Sequence, residues 1–393
     1  MISPVYIIDA KRTPVGSFQG QLSGFQGWQL GAEALRSIST PTHVPEEVII
    51  GCVLGAGQGQ SPARQAACSA FGVDNIPSTT VNKVCGSGMQ SISFAYNKLQ
   101  LGQRNVVAAG GFESMTNAPY LLPKGRAGYR MGHGVVIDHM LHDGLEDAYD
   151  IASNGTRRAM GTFADATAEK YSFTRQDQEA FALETFQNFK QSEAAGEFAN
   201  ERAPITVTDA KGGKTTINTD EPPTRVKPEK YAALKPAFGK TGTVTAATSS
   251  AIADGASALL LCNEKGLGAA TPLARIVGVT SHAHEPEWFT TAPIGAIRAL
   301  LSQVGWSVEE VDLFEVNEAF AVVPMAVMRE LAIPRSKINA LGGACAVGHP
   351  IGSSSARIVV TLVHALRSRG LKRGIASVCI GGGEAMAIAI EVV

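Results

Sequence analysis

The peptide NKVCGSG at residues 82–88 is followed by an amphipathic helix pattern and then by the glycine-rich peptide VVAAGGFESM at residues 106–115. A similar series recurs near the other end of the chain, where GGACAVGH at 342–349 precedes a second helix pattern and then ASVCIGGGEAM at 376–386. The two series indicate an internal duplication, in which two half-chains share one topology. We expect the halves to pack with their glycine turns at a shared seam, where ligands bind outside the carboxyl ends of the strands.

Apolar runs that end at glycine alternate with helical patterns along both series, which is typical of an α/β protein. In the first series the pattern predicts strands at 5–9, 47–54, 79–84 and 105–109, with helices at 27–38, 61–71 and 88–101. In the second series it predicts strands at 273–279, 313–316 and 375–380, with helices at 294–301, 319–331 and 353–369. The predicted fold class is therefore α/β.

A segment of different amino-acid composition separates the two series, from about residue 119 to residue 247. It carries most of the long polar runs and one long helix pattern at 175–193, and such an insertion suits a cap over a site. The sequence thus predicts an N-terminal half at 1–118 and 248–268, a loop (cap) domain at 119–247 and a C-terminal half at 269–393. Within the stretch 243–261 it predicts a helix of small residues followed by an apolar strand.

The composition is that of an ordinary globular protein of 393 residues, with 45% hydrophobic and 18% charged residues. The formal net charge of -1 argues against nucleic acid as the main partner, because the protein as a whole supplies no positive field. No stretch has the length of a membrane span and no signal-peptide pattern is present, so we expect a cytoplasmic protein or one of a matrix compartment. The six cysteines lack paired spacing and histidine companions, so neither a disulfide framework nor a zinc site is predicted.

Cys85 follows a strand-like run and directly precedes a helix whose apolar residues recur every three or four positions. At a helix N-terminus, free backbone N–H groups and the helix dipole lower the pKa of a thiol and hold a developing oxyanion. The glycines on either side of Ser87 let a substrate approach the backbone closely. Cys85 is thus a candidate nucleophile, and a buried turn cysteine is the alternative.

Three further residues lie at positions typical of catalytic residues. His349 lies in a loop that glycines and Pro350 frame ahead of a helix, where a histidine can hold a cysteine as thiolate or donate to a carbonyl oxygen. Cys379 ends an apolar strand and is followed by three glycines, which suits proton transfer. Asn317 stands where a strand gives way to a helix, and its simplest role is a helix N-cap.

Four motifs taken together resemble the thiolases and occur in the order of that family: NKVCGSGM at 82–89, NEAFA at 317–321, GHPIG at 348–352 and CIGGG at 379–383. The resemblance extends to the chain length and to two further peptides, GGFESM at 110–115 and GTVT at 242–245. It therefore covers essentially the whole chain, and it points to the acetyl-CoA acetyltransferase branch.

The resemblance implies the thiolase fold, in which two similar βαβαβαββ halves form five layers (αβαβα) with a loop domain inserted in the first half. It also implies that Cys85 is the acylated nucleophile, that His349 activates it and that Cys379 is the acid/base. Asn317 and His349 would hold a water of one oxyanion hole. The backbone N–H groups of Cys85 and Gly381 would form a second hole.

The resemblance further implies contacts with coenzyme A from six residues: Ser250, Met160, Leu234, Phe238, Arg225 and Phe289. Three departures from the family pattern bear on the acyl chain. Ala159 stands where short-chain members usually have histidine, and Phe289 stands where a methionine is common. Glu384 follows the triple glycine where an apolar methionine is common.

By this resemblance the chain reversibly condenses two acetyl-CoA to acetoacetyl-CoA and CoA, by ping-pong acyl transfer, without a metal or a permanently bound organic cofactor. A degradative 3-ketoacyl-CoA thiolase of broader chain length is the alternative. A ketoacyl synthase would have a second histidine where this chain has Asn317 and Cys379, and the four intact site residues disfavour a silent binding protein. The peptide KGRAGYRMG at 124–132 resembles the loop through which many family members pair two dimers, which implies a homotetramer.

Overall fold

The computed structural model describes residues 3–38, 43–72, 75–208 and 211–393. Its first part alternates strands and helices, as the sequence predicts. The elements are β1 Val5–Arg12, β2 Gly16–Ser17, α1 Gly27–Ser37, β3 Glu47–Gly51, α2 Pro62–Phe71, β4 Ser78–Val81, α3 Ser87–Gln100 and β5 Val106–Ser114.

The segment after β5 forms three two-stranded hairpins and three helices outside the main sheet. They are β6 Tyr120–Leu121, β7 Ile137–Asp138, β8 Glu146–Ile151, β9 Arg157–Ala159, α4 Met160–Lys170, α5 Arg175–Ala194, β10 Ile205–Thr208, β11 Lys214–Ile217 and α6 Pro222–Arg225, with a π-helical turn at Leu141–Leu145 and a 3₁₀ helix at Pro228–Ala233. The long helix α5 begins as the sequence predicts, because Thr174 and Asp177 form a reciprocal capping box ahead of it. The exact domain boundaries given above remain a prediction.

The chain then returns to the main sheet and completes the second half. Its elements are β12 Ala253–Asn263, α7 Glu264–Leu267, β13 Ala274–Ala283, α8 Ala292–Val304, β14 Leu313–Val316, α9 Val322–Leu331, α10 Ala344–Val347, α11 Ile351–Ser368, β15 Arg373–Ile380 and β16 Glu384–Glu391, with 3₁₀ helices at Pro286–Thr291 and Arg335–Lys337.

Within the described residues, ten strands form one mixed sheet in the order β14-β15-β16-β13-β1-β12-β5-β3-β4, with β2 paired to β12. The two halves contribute the two ends of this order. They join where β1 runs antiparallel to β13, with Val5 opposite Ile276 and Ile7 opposite Ala274. The edge-to-edge contact is only three residue pairs long, so the two half-sheets keep separate faces that helices can cover.

The helices form three layers around the two half-sheets. α1 and α2 cover one outer face and α8 covers the other, while α3 and α11 contact each other and the strands of both halves. A helix packed between two half-sheets is buried on most of its surface, and 15 of the 18 residues of α11 are buried. This arrangement confirms the predicted α/β class with its five layers. None of the described helices has the length and apolar character needed to cross a membrane.

The two halves repeat one topology, which agrees with the duplication in the sequence. The first half has the strand order β4-β3-β5-β12-β1, and the second has β14-β15-β16-β13 in the corresponding places. The counterpart of β4 is reduced to a single parallel bridge between Phe314 and Ile338. Glycines let the halves approach at the seam, since a Cβ on Gly88 would lie 2.9 Å from Ala356 and one on Gly111 would lie 1.9 Å from the Gly352 carbonyl oxygen.

The small-residue helix predicted within 243–261 is absent, and that prediction is wrong. The chain there runs through turns into β12, all 11 residues of which are buried. β5 and β12 pack closely here, because a Cβ on Gly110 of β5 would lie 2.0 Å from the Ser257 carbonyl oxygen of β12.

Candidate active site

Cys85 lies on a tight turn between β4 and α3. Val84, a β-branched residue, has a φ of 45°, which is costly and persists only when neighbouring contacts impose it. The Asn82 side chain accepts a hydrogen bond from the Val84 N–H at 3.0 Å. The Ser87 hydroxyl accepts from the Lys83 N–H at 2.8 Å and donates to the Val84 carbonyl at 2.7 Å. These bonds fix the turn that presents Cys85 just ahead of α3.

The thiol of Cys85 meets the opposite half of the protein. Burial raises its pKa to about 11, although hydrogen bonds from the backbone N–H of Gly381 and from its own N–H lower it. The predicted lowering of the thiol pKa is therefore wrong for the free protein, because burial outweighs the helix N-terminus. Cys85 is a neutral thiol near pH 7, and a base must take its proton as it reacts.

Two hydrogen bonds hold His349 in place, one through its backbone and one through its ring. Its N–H donates to the Ala251 carbonyl at 2.9 Å, and its ring Nδ1 lies 2.5 Å from the hydroxyl of Ser354. That hydroxyl donates its only proton to the Pro350 carbonyl at 2.9 Å. Nδ1 must therefore be the donor to Ser354, which fixes the tautomer of the imidazole.

The same tautomer leaves the other ring nitrogen free to act as a base. Nε2 of His349 is buried and has no hydrogen-bond partner among the described residues. Burial, with a smaller contribution from the positive charge of Arg357, lowers the pKa of His349 to about 3. His349 is thus neutral near pH 7, with a bare lone pair on Nε2.

Cys379 lies near the end of β15 and is fully buried. Burial raises the pKa of its thiol well above the usual value, and the neighbouring Cys85 raises it further. The influence of Cys85 on the pKa of Cys379 indicates that the two thiols lie close together. Both cysteines are neutral in the free protein.

Asn317 follows β14 and is fully buried. It does not cap a helix, because α9 begins at Val322 and has Ala321 at its N-cap, so the simplest role suggested by the sequence is excluded. Its backbone N–H donates to the Ser377 carbonyl at 2.9 Å, but neither Oδ1 nor Nδ2 has a partner within the described ranges. An unpaired buried amide is costly, so its presence points to a ligand or water that completes it.

The predicted catalytic residues come from both halves of the protein. Cys85 packs against an apolar cluster that contains Ile351, two residues after His349, and Cys379 lies two residues before Gly381, whose N–H donates to the Cys85 thiol. The side-chain atoms Oδ1 and Nδ2 of Asn317 and Nε2 of His349 are all buried and unpaired within the described ranges.

Two of the six predicted coenzyme A contacts line one cavity of about 320 Å³. Arg225 and Leu234 form part of its wall, together with Lys227 and Lys230. Ser250 is adjacent to the wall, since its neighbours on both sides line the cavity and its own hydroxyl donates to the Ala319 carbonyl at 3.0 Å. The cavity is thus lined by both positively charged and apolar side chains.

The other three predicted contacts belong to the apolar cluster that contains Cys379. Phe238 meets Phe320 edge to face, with 5.8 Å between the ring centroids. The Met160 sulfur lies 3.4 Å from the place that a Cβ on Gly381 would take. Phe289 is only 3% exposed and does not line the 320 Å³ cavity, so in the free protein it is a core residue.

One buried residue near the site, Glu113, is not among the residues that the motifs predict to act there. Glu113 is fully buried and accepts hydrogen bonds from the N–H groups of Val53, Leu54 and Gly352, at 3.1, 3.0 and 2.9 Å. Burial raises its pKa to about 7, while these bonds lower it. Through its bond from Gly352, Glu113 joins the first turn of α11, which follows His349, to the N-terminal half. The only signal for it in the sequence is its place in the GGFESM motif.

Comparison with known proteins identifies two adjoining family matches along the chain. Residues 5–265 match the family described as "Thiolase, N-terminal domain" and residues 270–392 match "Thiolase, C-terminal domain". The acetyl-CoA acetyltransferase of Pseudomonas aeruginosa is 43% identical to this chain, over 98% of each chain.

Two solved structures have the same fold. The acetyl-CoA acetyltransferase of Bacillus anthracis is 37% identical, with a TM-score of 0.95 over 100% of this chain and 99% of the other. Acat5 thiolase from Ascaris suum, solved in complex with coenzyme A, is 38% identical, with a TM-score of 0.91 over 99% of this chain and 100% of the other.

Proposed function

This chain belongs to the thiolase family of acyltransferases, and from that premise we propose that it reversibly condenses two acetyl-CoA to acetoacetyl-CoA and CoA through an acyl-Cys85 intermediate. The observation that carries this proposal is the hydrogen bond from the Gly381 N–H to the Cys85 thiol, at which turns from both halves meet. A thiol beside a backbone N–H is where a thioester carbonyl is attacked and its oxyanion is held. The relatives named acetyl-CoA acetyltransferase support acetyl-CoA as the substrate.

In the first half-reaction Cys85 attacks the thioester carbonyl while Nε2 of His349 accepts the thiol proton. The N–H groups of Cys85 and Gly381 hold the oxyanion of the tetrahedral intermediate. The intermediate collapses to the Cys85 thioester, and the departing sulfur takes the proton of Cys379 to leave as CoA, so Cys379 remains as a thiolate and His349 stays protonated. Since both Cys85 and His349 begin neutral, proton transfer accompanies attack and no preformed ion pair is needed.

In the second half-reaction the thiolate of Cys379 removes a proton from the methyl carbon of a second acetyl-CoA and becomes a neutral thiol again. Cys85 is then a thioester, so it carries no charge that opposes the thiolate of Cys379. Asn317 and protonated His349 donate hydrogen bonds to the enolate oxygen, directly or through a water that pairs the free amide of Asn317. The carbanion attacks the acyl group, and the released Cys85 takes back its proton from His349.

We propose that coenzyme A enters by the 320 Å³ cavity, where Arg225, Lys227 and Lys230 meet its phosphates and Leu234 meets the pantetheine arm. Ser250, Phe238 and Met160 continue the path toward Cys379 and Gly381, whereas Phe289 is buried in the free protein and does not line it. No metal and no permanently bound organic cofactor takes part in these steps.

A substrate series tests the proposed reaction. Thiolysis of 3-oxoacyl-CoA esters from four to sixteen carbons is measured as kcat/KM, with Cys85→Ala as the matched inactive control. We expect acetoacetyl-CoA to be the best substrate and Cys85→Ala to have no thiolysis above background. A wild-type chain without activity on any of these esters contradicts the proposal, and a chain that prefers long esters replaces it with a degradative thiolase of broader chain length.

We also propose that the protein is a homotetramer of the cytoplasm that serves fatty acid metabolism. Apolar side chains on the segment 120–136 support the assembly, since Met131 is 105% exposed and Leu122 and Val135 are more than half exposed. A surface of this kind is expected to be covered by protein. Light scattering of wild type and Met131→Lys tests it, and a wild-type dimer contradicts it.

A further inference from the structure

One ion pair joins the two catalytic turns without involving a reacting atom. Lys83 Nζ pairs with the Glu384 carboxylate, 301 positions further along the chain. Lys83 lies two residues before Cys85, and Glu384 lies three residues after Gly381. The two side chains are 24% and 37% exposed, and neither has another side-chain partner among the described residues. Glu384 is one of the departures from the family pattern.

The turns that this pair joins are both in strained or glycine-dependent conformations. Val84 has a φ of 45°, and Gly382 and Gly383 have φ of 95° and 87°. The turns also pack directly, since a Cβ on Gly86 would lie 2.4 Å from Ile380. They belong to opposite halves of the protein, so their relative position depends on contacts across the seam.

We propose that the Lys83–Glu384 ion pair is a clamp that holds the Cys85 N–H and the Gly381 N–H in register. The proposal rests on the proposed function, in which one donor of the oxyanion hole comes from each half. A hole of this kind stabilises the transition state only when both donors reach the same oxygen. A small displacement of either turn therefore lowers the rate of acyl transfer.

The clamp is a positioning device and has no contact with the coenzyme A path. Neither Lys83 nor Glu384 lines the 320 Å³ cavity with Arg225 and Leu234. Loss of the clamp therefore lowers kcat and leaves KM for acetoacetyl-CoA nearly unchanged. A role in attracting substrate would instead raise KM.

Four variants test the clamp: Lys83→Met, Glu384→Gln, the double variant Lys83→Met/Glu384→Gln, and the charge exchange Lys83→Glu/Glu384→Lys. Lys98→Met is the matched control, because it removes the Lys98–Glu47 ion pair at the far end of the same helix α3. The measurements are kcat and KM for thiolysis, the melting temperature, and the rate at which iodoacetamide alkylates Cys85.

We expect each single variant to lose roughly ten- to a hundredfold in kcat, with KM within about twofold, as for a small misplacement of catalytic groups. The double variant should be no worse than the poorer single variant, because both remove one interaction. The charge exchange should recover part of the lost kcat, and Lys98→Met should keep the wild-type kcat. The alkylation rate of Cys85 should change in the single variants but not in Lys98→Met.

Wild-type kcat in the double variant, fully additive losses, or an unchanged alkylation rate at Cys85 would overturn the clamp. These outcomes are separable from failure of the proposed function. A wild-type chain that does not cleave acetoacetyl-CoA refutes the proposed function, while the alkylation of Cys85 still reports whether the ion pair controls its turn.

Discussion

His349 donates its Nδ1 proton to the hydroxyl of Ser354, at 2.5 Å, and so keeps Nε2 as a bare base. Ser354 can accept because its own proton goes to the Pro350 carbonyl, one helical turn back at the start of α11. The pair explains how a histidine without a carboxylate partner keeps one tautomer. It also gives the mechanism its most specific structural requirement outside the four predicted catalytic side chains.

Ser354→Ala should lower kcat about ten- to a hundredfold, which is the usual cost of losing the group that orients a catalytic or ligating histidine. KM should change little, because Ser354 does not line the coenzyme A cavity. Ser353→Ala is the matched control: its hydroxyl pairs with Ser257 at 3.0 Å, one residue away in the same buried turn. Steady-state kinetics that show equal losses in both variants would mean that the Ser354 effect is one of packing.

The pKa values of the site predict how free Cys85 reacts with pH. A thiol whose pKa is raised to about 11 gains its reactive thiolate only as the pH rises toward that value, and His349, with its pKa lowered to about 3, gives no ion pair at neutral pH. Iodoacetamide alkylation of Cys85, followed by mass spectrometry, should therefore accelerate continuously from pH 6 to pH 10. A plateau below pH 8 would instead indicate a thiolate held by His349.

The sequence allowed the fold class, the duplication and the four candidate site residues to be predicted, because these rest on local patterns and motifs. The predicted strand at 79–84 is too long, since β4 ends at Val81 and the following residues form the turn that Val84 strains. The direction of the Cys85 pKa was missed because burial depends on packing between the two halves. Contacts of long sequence separation, such as Glu113 with Gly352 and Lys83 with Glu384, leave no signal in one sequence.

Asn317→Leu should lower kcat by at least about a hundredfold, the effect expected for a lost donor of an oxyanion hole. Its stability should be retained or increased, because removing an unpaired buried amide relieves a desolvation cost of about 1–3 kcal/mol. Calorimetric melting temperatures of the wild type and the variant test whether activity falls while stability does not.

Asn339→Leu is the matched control for Asn317. Asn339 is also fully buried, but its amide donates to the Val316 carbonyl at 2.9 Å and to Glu318 at 2.7 Å, and it accepts from the Val316 N–H at 2.8 Å. Its replacement should lower the melting temperature. If Asn317→Leu were destabilised as strongly as Asn339→Leu, the amide of Asn317 would have partners in the free protein and a structural role.

Cys379→Ser should separate the two half-reactions. A serine hydroxyl has a pKa far above the working range, so condensation and exchange of solvent deuterium into the acetyl methyl group should fall by at least about a hundredfold, the usual contribution of a positioned acid/base. Acylation of Cys85 should persist in this variant. Deuterium exchange at the wild-type rate would assign the base to another residue, with His349 the first candidate.

The acylation of Cys85 is the central claim, and one measurement tests it directly. The protein is incubated with acetyl-CoA, quenched in acid, and examined by intact-mass spectrometry and peptide mapping, with Cys85→Ala as the control. The account predicts one added acetyl group per chain, on Cys85 in the wild type and in Cys379→Ser, and none in Cys85→Ala. An acetyl group on Cys379, or an unmodified Cys85 in a chain that still cleaves acetoacetyl-CoA, would contradict it.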